Sequence, residues 1–228
     1  MYGVSVPSTF QRARSAEQRE IRRRAVLTAA AAMLDEMPVA EVSLNELSRR
    51  VGLAKSNVLR YFESREAVLL ELLDGFLGDW LVDVERGLGA WVRPGGDVEE
   101  RAGQVADVLA RSLADRPVLL DLLAAQGGVL EHNVSVEGVK RHRRASLARL
   151  EALSALVGRH LPELGEAAPS YCLTAVVAAG AVASYAPPSA VVRAALQDEP
   201  ELAVFEVDLA DALRDVLGAL LVGRLPRG

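Results

Sequence analysis

Apolar residues recur every three or four positions through most of the chain, which is the spacing of an amphipathic helix. No segment shows the alternation of apolar and polar residues that is typical of a half-buried strand. Proline and glycine interrupt the pattern at intervals, for example at Pro94 and Pro187. The predicted helices cover residues 16–37, 44–51, 55–61, a segment opening after 64, and 98–113, 117–130, 135–160, 169–186 and 206–223. We therefore expect an all-α protein with about nine helices.

Local signals mark the ends of the first helices. Pro38 cannot continue the helix before it. Ser43 and Glu46 have the spacing of a capping box, in which each side chain accepts from the other residue's amide. Gly52 tolerates the left-handed conformation that often ends a helix, and Ser64 is a good residue to begin the next one.

The segment of residues 43–62 has the organisation of a helix-turn-helix. Two short helices are separated by a three-residue turn that contains Gly52, and apolar residues are spaced to lock the pair together. The exposed remainder of the second helix is rich in side chains that bind DNA. Arg and Asn read base edges, whereas Lys and Ser grip phosphates. These side chains are Lys55, Ser56, Asn57 and Arg60.

Charge is distributed unevenly between the two parts of the chain. The net charge is −5 over 228 residues. Residues 1–66 carry eleven Arg/Lys and eight Asp/Glu, or +3, whereas residues 67–228 carry fifteen and twenty-three, or −8. This pattern indicates that only the first part meets nucleic acid. A hydrophobic content of 50% excludes a disordered chain, and the single Cys172 is expected to be a small buried hydrophobe.

The stretch VSLNELSRRVGLAKSNVLRYFESREAVLLELL resembles the DNA-binding segment of the tetracycline-repressor (TetR/AcrR) family. The resemblance is specific over residues 24–73, where the apolar spacing, the turn glycine and the Tyr61-Phe62 pair all match. It implies a helix-turn-helix followed by an all-helical domain that dimerises and binds a ligand. The implied division is an arm over 1–15 that is flexible and bears Arg12 and Arg14, a DNA-binding domain over 16–64 and a regulatory domain over 65–228.

The sequence departs from the family pattern at Pro38 (usually Gly), Ala54 (usually Ser) and Leu59 (usually a Tyr that touches phosphate). Ala54 weakens the cap of the recognition helix, and Leu59 leaves its neighbour Arg60 as the stronger candidate for a DNA contact. Taken by itself, the run Arg22-Arg23-Arg24 indicates a solvated helix face. Its position beside a helix-turn-helix favours contact with phosphate instead. The candidate DNA-binding residues are Arg22, Arg23, Arg24, Ser43, Lys55, Ser56, Asn57, Arg60, Tyr61 and Arg65.

The last two long helices are candidates for a dimer interface. One is nearly all small and apolar, and the other has a wide apolar stripe opposite its charges. In the resembling family two such helices pair with their copies, although a buried helix pair within one chain explains the same pattern. The candidate interface residues are Ala175, Ala178, Ala179, Val182, Leu209, Leu213, Val216, Leu217 and Leu220.

A ligand pocket in the second domain is implied by the resemblance, together with the large Leu-, Ala- and Val-rich helical region that follows the DNA-binding segment. Phe76, Trp80, Gln126 and Tyr171 are its candidate lining, with ordinary core packing as the alternative for the aromatic residues. The three histidines lack metal-ligand spacing, so neither a metal nor a cofactor is expected. No enzyme motif is present. The basic cluster at 140–144 is interpreted as a solvated helix face, with a site for an anionic ligand or partner as the alternative.

These observations favour a bacterial transcriptional regulator, by default a repressor. It would bind a palindromic operator as a homodimer and leave it when a small, mainly apolar effector binds. No membrane association is expected, because the apolar run over 171–186 is short and stops at Pro187. The protein would act in the bacterial cytoplasm, on the nucleoid when bound to its operator. The alternative is a helical interaction protein whose helix-turn-helix has lost DNA binding.

Overall fold

A computed structural model describes residues 9–186 and 188–226. All regular secondary structure in these residues is helical, as the sequence predicts. The α-helices are α1 (Thr9–Glu36), α2 (Leu44–Arg50), α3 (Lys55–Val58), α4 (Arg65–Trp91), α5 (Val98–Ala114), α6 (Pro117–Ala125), α7 (Val136–His160), α8 (Ala168–Ala183), α9 (Ala190–Asp198) and α10 (Leu209–Val222). Turns of 3₁₀-helix lie at Val39–Glu41, Pro162–Ala167 and Pro200–Phe205, and a π-helical turn lies at Gln126–Leu130.

Several predicted boundaries are wrong. Helix α1 begins at Thr9 rather than at the predicted residue 16, and residues 1–8 of the expected arm lie outside the described part. Helix α3 ends at Val58, and the chain goes on in tight turns in which amides bond to carbonyls three residues back. The helix predicted over 117–130 changes to a π-turn at Gln126. Helix α9 was not predicted, because its short apolar pattern has prolines on both sides.

The helix starts around the helix-turn-helix follow the predicted chemistry with one exception. Ser43 Oγ accepts from the amide of Glu46 at 3.2 Å, and Ser64 Oγ accepts from the amide of Ala67 at 3.1 Å. The Glu46 side chain does not complete the capping box, because it bonds to Arg49 and Arg50 instead. Gly52 has φ of 64°, the left-handed conformation that turns the chain between α2 and α3.

Helix α4 is shared by the two halves of the molecule. Its first turns pack beside α1, and the rest of its 27 residues pack against α5, α6 and α7. Leu69, Leu73 and Leu88 on its inner face are fully buried, as is Trp80. One continuous hydrophobic core therefore runs from the helix-turn-helix into the larger half.

Helix α8 is a core helix of this larger half. The segment Pro162–Ala183 is long and apolar enough to cross a membrane by composition, but its inner face packs against α6, α7 and α10. Cys172 on that face is fully buried, as predicted, and burial raises the pKa of its thiol to about 11. A Cβ on Gly180 would lie 3.0 Å from the backbone of Leu123, so this glycine lets α8 and α6 approach closely.

Two contacts connect the larger half to the helix-turn-helix besides α4. The amide of Val39 donates to Asp121 Oδ2 of α6 at 2.7 Å. The first turn of α7 packs against the segment that follows α3, where Gly138 lies beside Glu63 and Val134. A methyl group on Gly138 would overlap both neighbouring side chains.

Replacing Gly138 by alanine is expected to destabilise the protein. The Glu63 side chain can swing away, but Val134 packs against the core and has less freedom to move. We expect Gly138→Ala to lower the free energy of unfolding by about 1–3 kcal/mol, measured by urea denaturation. Gly158→Ala is the matched control on α7, because nothing lies within 4 Å of its added methyl group. The control should gain about 0.5–1 kcal/mol from helix propensity; equal effects of the two changes would contradict the tight contact.

Candidate nucleic-acid interface

The helix-turn-helix is held together by a small apolar core. Leu47 of α2 and Val58 of α3 are fully buried, and Phe62 closes the pair from the C-terminal side. Ser48, which lies where the helices cross, is buried and donates to the Leu44 carbonyl at 2.7 Å. The hydroxyl therefore satisfies its hydrogen bond within α2 and leaves room for α3 to approach.

The outer face of α3 and of the turn that follows it presents the side chains that were predicted to read DNA. Lys55, Ser56, Asn57 and Arg60 are all exposed, and so is the apolar side chain of Leu59. None of the first four is held by an ion pair among the residues that the structure describes. This face combines two cations with hydrogen-bonding groups, as a helix that enters the major groove requires.

Other predicted DNA contacts lie around this face. Arg22 and Arg24 are exposed on α1, and Arg24 forms an ion pair with Glu20 one turn earlier. Ser43 is exposed but its hydroxyl caps α2, and Tyr61 is partly buried. Of these residues, Arg22 and Arg24 keep their guanidinium groups on the surface, where phosphate can reach them.

Arg23 has an internal role that was not predicted. Its guanidinium bonds to both carboxylate oxygens of Glu71 on α4 and donates to the Tyr61 carbonyl at 2.8 Å. It also lies over the Phe62 ring, 4.2 Å from the ring centre. Arg23 thus connects α1, α4 and the end of the recognition segment. Its hydrogen-bonding groups are engaged inside the protein, and its contact with DNA stays a prediction.

Arg65 is also an internal residue. Its Nη1 donates to the Val42 carbonyl at 2.8 Å, and its Nε lies 3.1 Å from Glu66 Oε1. The side chain is largely buried, so it fixes the start of α4 against the loop before α2. Its DNA contact stays a prediction as well.

Sequence reasoning missed Arg49, an exposed cation at the end of α2. Its bonds to Glu46, together with those of Arg50, lower the pKa of that carboxylate to about 2. Arg50 in turn bonds to Glu36 of α1 at 2.7 Å and so joins the first two helices. The carboxylates offset these two cations, so the positive charge near DNA depends more on Lys55, Arg60 and the exposed arginines of α1.

The residues predicted to line a ligand pocket are packed in the protein instead. Trp80 is buried and its Nε1 donates to Ser112 at 2.9 Å, while the buried Tyr171 hydroxyl donates to the Leu217 carbonyl at 3.5 Å. Phe76 packs against the core, and Gln126 bonds to Glu131 at 3.0 Å. None of the four lines any of the four cavities at the recognition segment, between α4 and α5, beside α1 or beside α10. A ligand pocket formed by these side chains stays a prediction.

A cavity of about 640 Å³ lies elsewhere, between the recognition segment, α4 and α7. Its lining includes Asp74, Arg141 and His142, none of which was predicted to bind a ligand. The basic cluster on α7 is thus divided. Arg143 pairs with Glu131, the exposed Arg141 borders the cavity, and His142 is buried inside the protein.

Helices α8 and α10 pack against each other, with one face of each turned inward. Ala175, Ala179, Leu213 and Leu217 are buried within the single chain, where α10 also contacts α5. These four residues are therefore wrong as contacts to a second copy. The partly exposed members of the predicted set are Ala178, Val182, Leu209, Val216 and Leu220, and the larger exposed apolar residues on α8 are Leu173 and Val177.

Two family matches cover most of the chain. Residues 26–72 match the bacterial regulatory proteins of the tetR family, and residues 74–228 match the tetracyclin repressor-like C-terminal domain. The chain belongs to the TetR family. It is a TetR-family transcriptional regulator with an N-terminal helix-turn-helix and a helical C-terminal domain.

Individual TetR-family proteins resemble parts of the chain. The HTH-type transcriptional regulator EthR of Mycobacterium tuberculosis is 38% identical over 72 residues, or 31% of this chain and 32% of that protein. The chain thus aligns with less than a third of this relative's length. Two solved structures share the fold. FadR from Bacillus halodurans has a TM-score of 0.53 and 16% identity, and the match covers 90% of this chain and 97% of that one. Thermus thermophilus FadR in complex with lauroyl-CoA has a TM-score of 0.52 and 22% identity, and the match covers 90% of this chain and 96% of that one.

Removing the Arg23 guanidinium is expected to destabilise this TetR-family domain. Arg23→Gln loses the paired hydrogen bonds to Glu71 and the contact with Phe62, and it leaves the Glu71 carboxylate without its cation. Because both side chains are about a third exposed, the expected loss in free energy of unfolding is about 1–3 kcal/mol. Arg22→Gln is the neighbouring control and should stay within about 0.5 kcal/mol of the wild type. Thermal unfolding of both variants checks this. An Arg23→Gln variant as stable as the wild type would contradict a stabilising role for the contacts of Arg23 with Glu71 and Phe62.

Proposed function

We propose that this regulator is a repressor that binds a palindromic operator as a homodimer and leaves it when an effector binds. The observation that supports it best is the exposed face of α3 and the turn after it, where the side chains of Lys55, Asn57 and Arg60 take part in no ion pair among the described residues. In the major groove, Asn57 and Arg60 would reach base edges. Lys55, Arg22 and Arg24 would neutralise phosphates on either side.

A homodimer is proposed because two recognition helices about one DNA turn apart match a palindromic site. The exposed faces of α8 and α10 offer the surface. Leu173 and Val177 of α8 are exposed apolar residues, and Val216 and Leu220 of α10 are partly exposed. Covering these side chains with a second copy of the chain would remove their apolar area from water.

Release by an effector requires that the effector bind the DNA-free arrangement more tightly than the DNA-bound one. The contacts of Asp121 with Val39 and of Gly138 with Glu63 provide a route. They join α6 and α7 directly to the DNA-binding half. A shift of either helix would change the position of α3 relative to its copy.

The chemistry of the effector is less constrained than the sequence suggested. Thermus thermophilus FadR, which shares the fold, forms a complex with lauroyl-CoA. For this chain, the expectation of a mainly apolar effector rested on the family resemblance and on the large apolar helical domain. We place the regulator in the bacterial cytoplasm, on the nucleoid when it is bound to its operator.

Specific DNA binding is tested by selecting sequences from a random duplex pool and measuring affinity for the selected site. A palindromic site should emerge, and Arg60→Ala should weaken binding to it by about 1–3 kcal/mol if Arg60 reads a base. Arg22→Ala should weaken binding to all sequences and reduce the salt dependence. Arg159→Ala, an exposed change at the far end of α7, is the control and should have no effect. Absence of any sequence preference would favour the helical interaction protein instead.

The dimer is tested by placing a charge on its proposed face. Val177→Glu should shift the protein from dimer to monomer in light scattering, because an unpaired carboxylate is costly to bury. Val82→Glu is a matched control, since Val82 is similarly exposed on α4 (57% against 63%). A monomeric wild type, or equal effects of both changes, would refute the proposed interface. Leu213→Glu is unsuitable, because it would disrupt the core of the single chain.

A further inference from the structure

The cavity between the recognition segment, α4 and α7 differs from the rest of the surface in having a buried polar end. Leu70 and Phe62 contribute apolar wall, while Asp74 and His142 contribute the polar groups at the inner end. The His142 side chain is 3% exposed and that of Asp74 is 19% exposed. Polar groups at such depth normally have hydrogen-bond partners.

Neighbouring hydrogen bonds fix the orientation of His142. The Gln126 amide nitrogen donates to Glu131 Oε1 at 3.0 Å and lies 3.1 Å from His142 Nε2. Because that nitrogen carries only hydrogens, an Nε2 that pairs with it does so as the acceptor. Ser146 Oγ lies 3.4 Å from the same Nε2, and Glu131 Oε1 lies 4.0 Å from it. The ring is thus oriented from the Nε2 side by α7 and the π-turn.

The other side of the ring has no such arrangement. His142 Nδ1 lies 2.9 Å from Asp74 Oδ1, but neither atom has a hydrogen bond of acceptable geometry among the described residues. Both atoms are therefore buried beside each other without a hydrogen bond, and the rest of the Asp74 side chain, which is 19% exposed, lines the cavity. A buried carboxylate oxygen in this position has a strong tendency to accept a hydrogen bond from a charged donor.

The outer end of the cavity has the opposite charge. Arg19, Arg60 and Arg141 border it, are exposed, and take part in no ion pair within residues 16–186 and 188–226. Glu63 is the one carboxylate in this outer part, since Glu71 is already bound to Arg23. The cavity therefore presents a carboxylate inside and an excess of guanidinium groups at its mouth.

We propose that this cavity binds a small zwitterion, with its protonated amine against Asp74 and its anionic group against Arg60 and Arg141. A purely apolar ligand would leave the inner carboxylate without a partner, and a simple anion would be repelled by it. A zwitterion satisfies both ends and fits a volume of about 640 Å³.

The position of Arg60 gives this site a direct effect on DNA binding. Arg60 is in the mouth of the cavity and on the proposed DNA-reading face. A guanidinium that is bound to the anionic end of the ligand is withdrawn from the DNA. The binding step stands without the proposed function, whereas this effect on the operator rests on it.

The experiment uses probes of one chain length that differ only in their charged ends. Isothermal titration calorimetry of the full-length protein is carried out with 6-aminohexanoate, hexylamine and hexanoate, and then with shorter and longer ω-amino acids. The ω-amino acids should bind at least about tenfold more tightly than either singly charged probe, as expected for one added charged hydrogen bond. Equal affinity for hexanoate, or no binding of any ω-amino acid at millimolar concentration, would overturn the proposal.

Variants locate the site and separate it from the proposed function. Asp74→Asn and Arg141→Gln should each weaken zwitterion binding by about tenfold or more. Their controls are Asp79→Asn and Arg144→Gln, exposed changes on the same helices outside the cavity, which should bind like the wild type. Circular dichroism shows whether each variant is folded, and Arg141→Gln, at the surface, keeps the test valid if Asp74→Asn does not fold. Loss of binding in a control would overturn the assignment.

The effect on DNA is measured separately on the selected operator. The bound zwitterion should lower operator affinity of the wild type, and Arg141→Gln should remove this response while it binds DNA normally. If the zwitterion binds but operator affinity stays the same, the regulatory part is wrong and the site stands. If no operator is found, the proposed function fails and calorimetry still decides the site.

Discussion

The Arg23 guanidinium determines how the recognition segment is held. It bonds to Glu71 of α4 and to the Tyr61 carbonyl, and it covers the Phe62 ring. Helix α3 has only four residues and would not keep its orientation alone. Through Arg23 its C-terminal end is attached to α4, which runs on for 27 residues through the core of the other half. Under the proposed function, a movement of α4 would carry the C-terminal end of the recognition segment with it.

The helix-turn-helix was predictable because its determinants are local. Ser43 caps α2, Gly52 takes the left-handed turn and Ser64 caps α4, and each does so within three residues of its partner or by its own backbone. The apolar spacing of Leu47 and Val58 specified the inner face equally well. Such signals act between residues that are close in sequence, so they can be recognised without knowledge of the tertiary packing.

The internal contacts of Arg23 and Arg65 were not predicted, because their partners are far along the chain. Glu71 is 48 residues from Arg23, and Val42 is 23 residues from Arg65, so neither partner leaves a periodic trace. Helix α10 has apolar residues around much of its circumference. Its sequence does not show that Leu213 and Leu217 face α5 rather than a second copy. The junction cavity is likewise invisible in sequence, because Asp74 and His142 meet only when α4 and α7 pack together.

The uneven charge of the chain has a consequence for the rate at which DNA is found. The exposed cations Arg22, Lys55 and Arg60 lie on the helix-turn-helix, whereas residues 67–228 carry a net charge of −8. A molecule charged in this way is turned by the field of a polyanion before it makes contact. Approaches with the acidic half in front are repelled, and those with the recognition helix in front are accelerated. This orienting acts over about one Debye length, roughly 8–10 Å at physiological salt, so salt should slow productive encounters as well as weaken the complex.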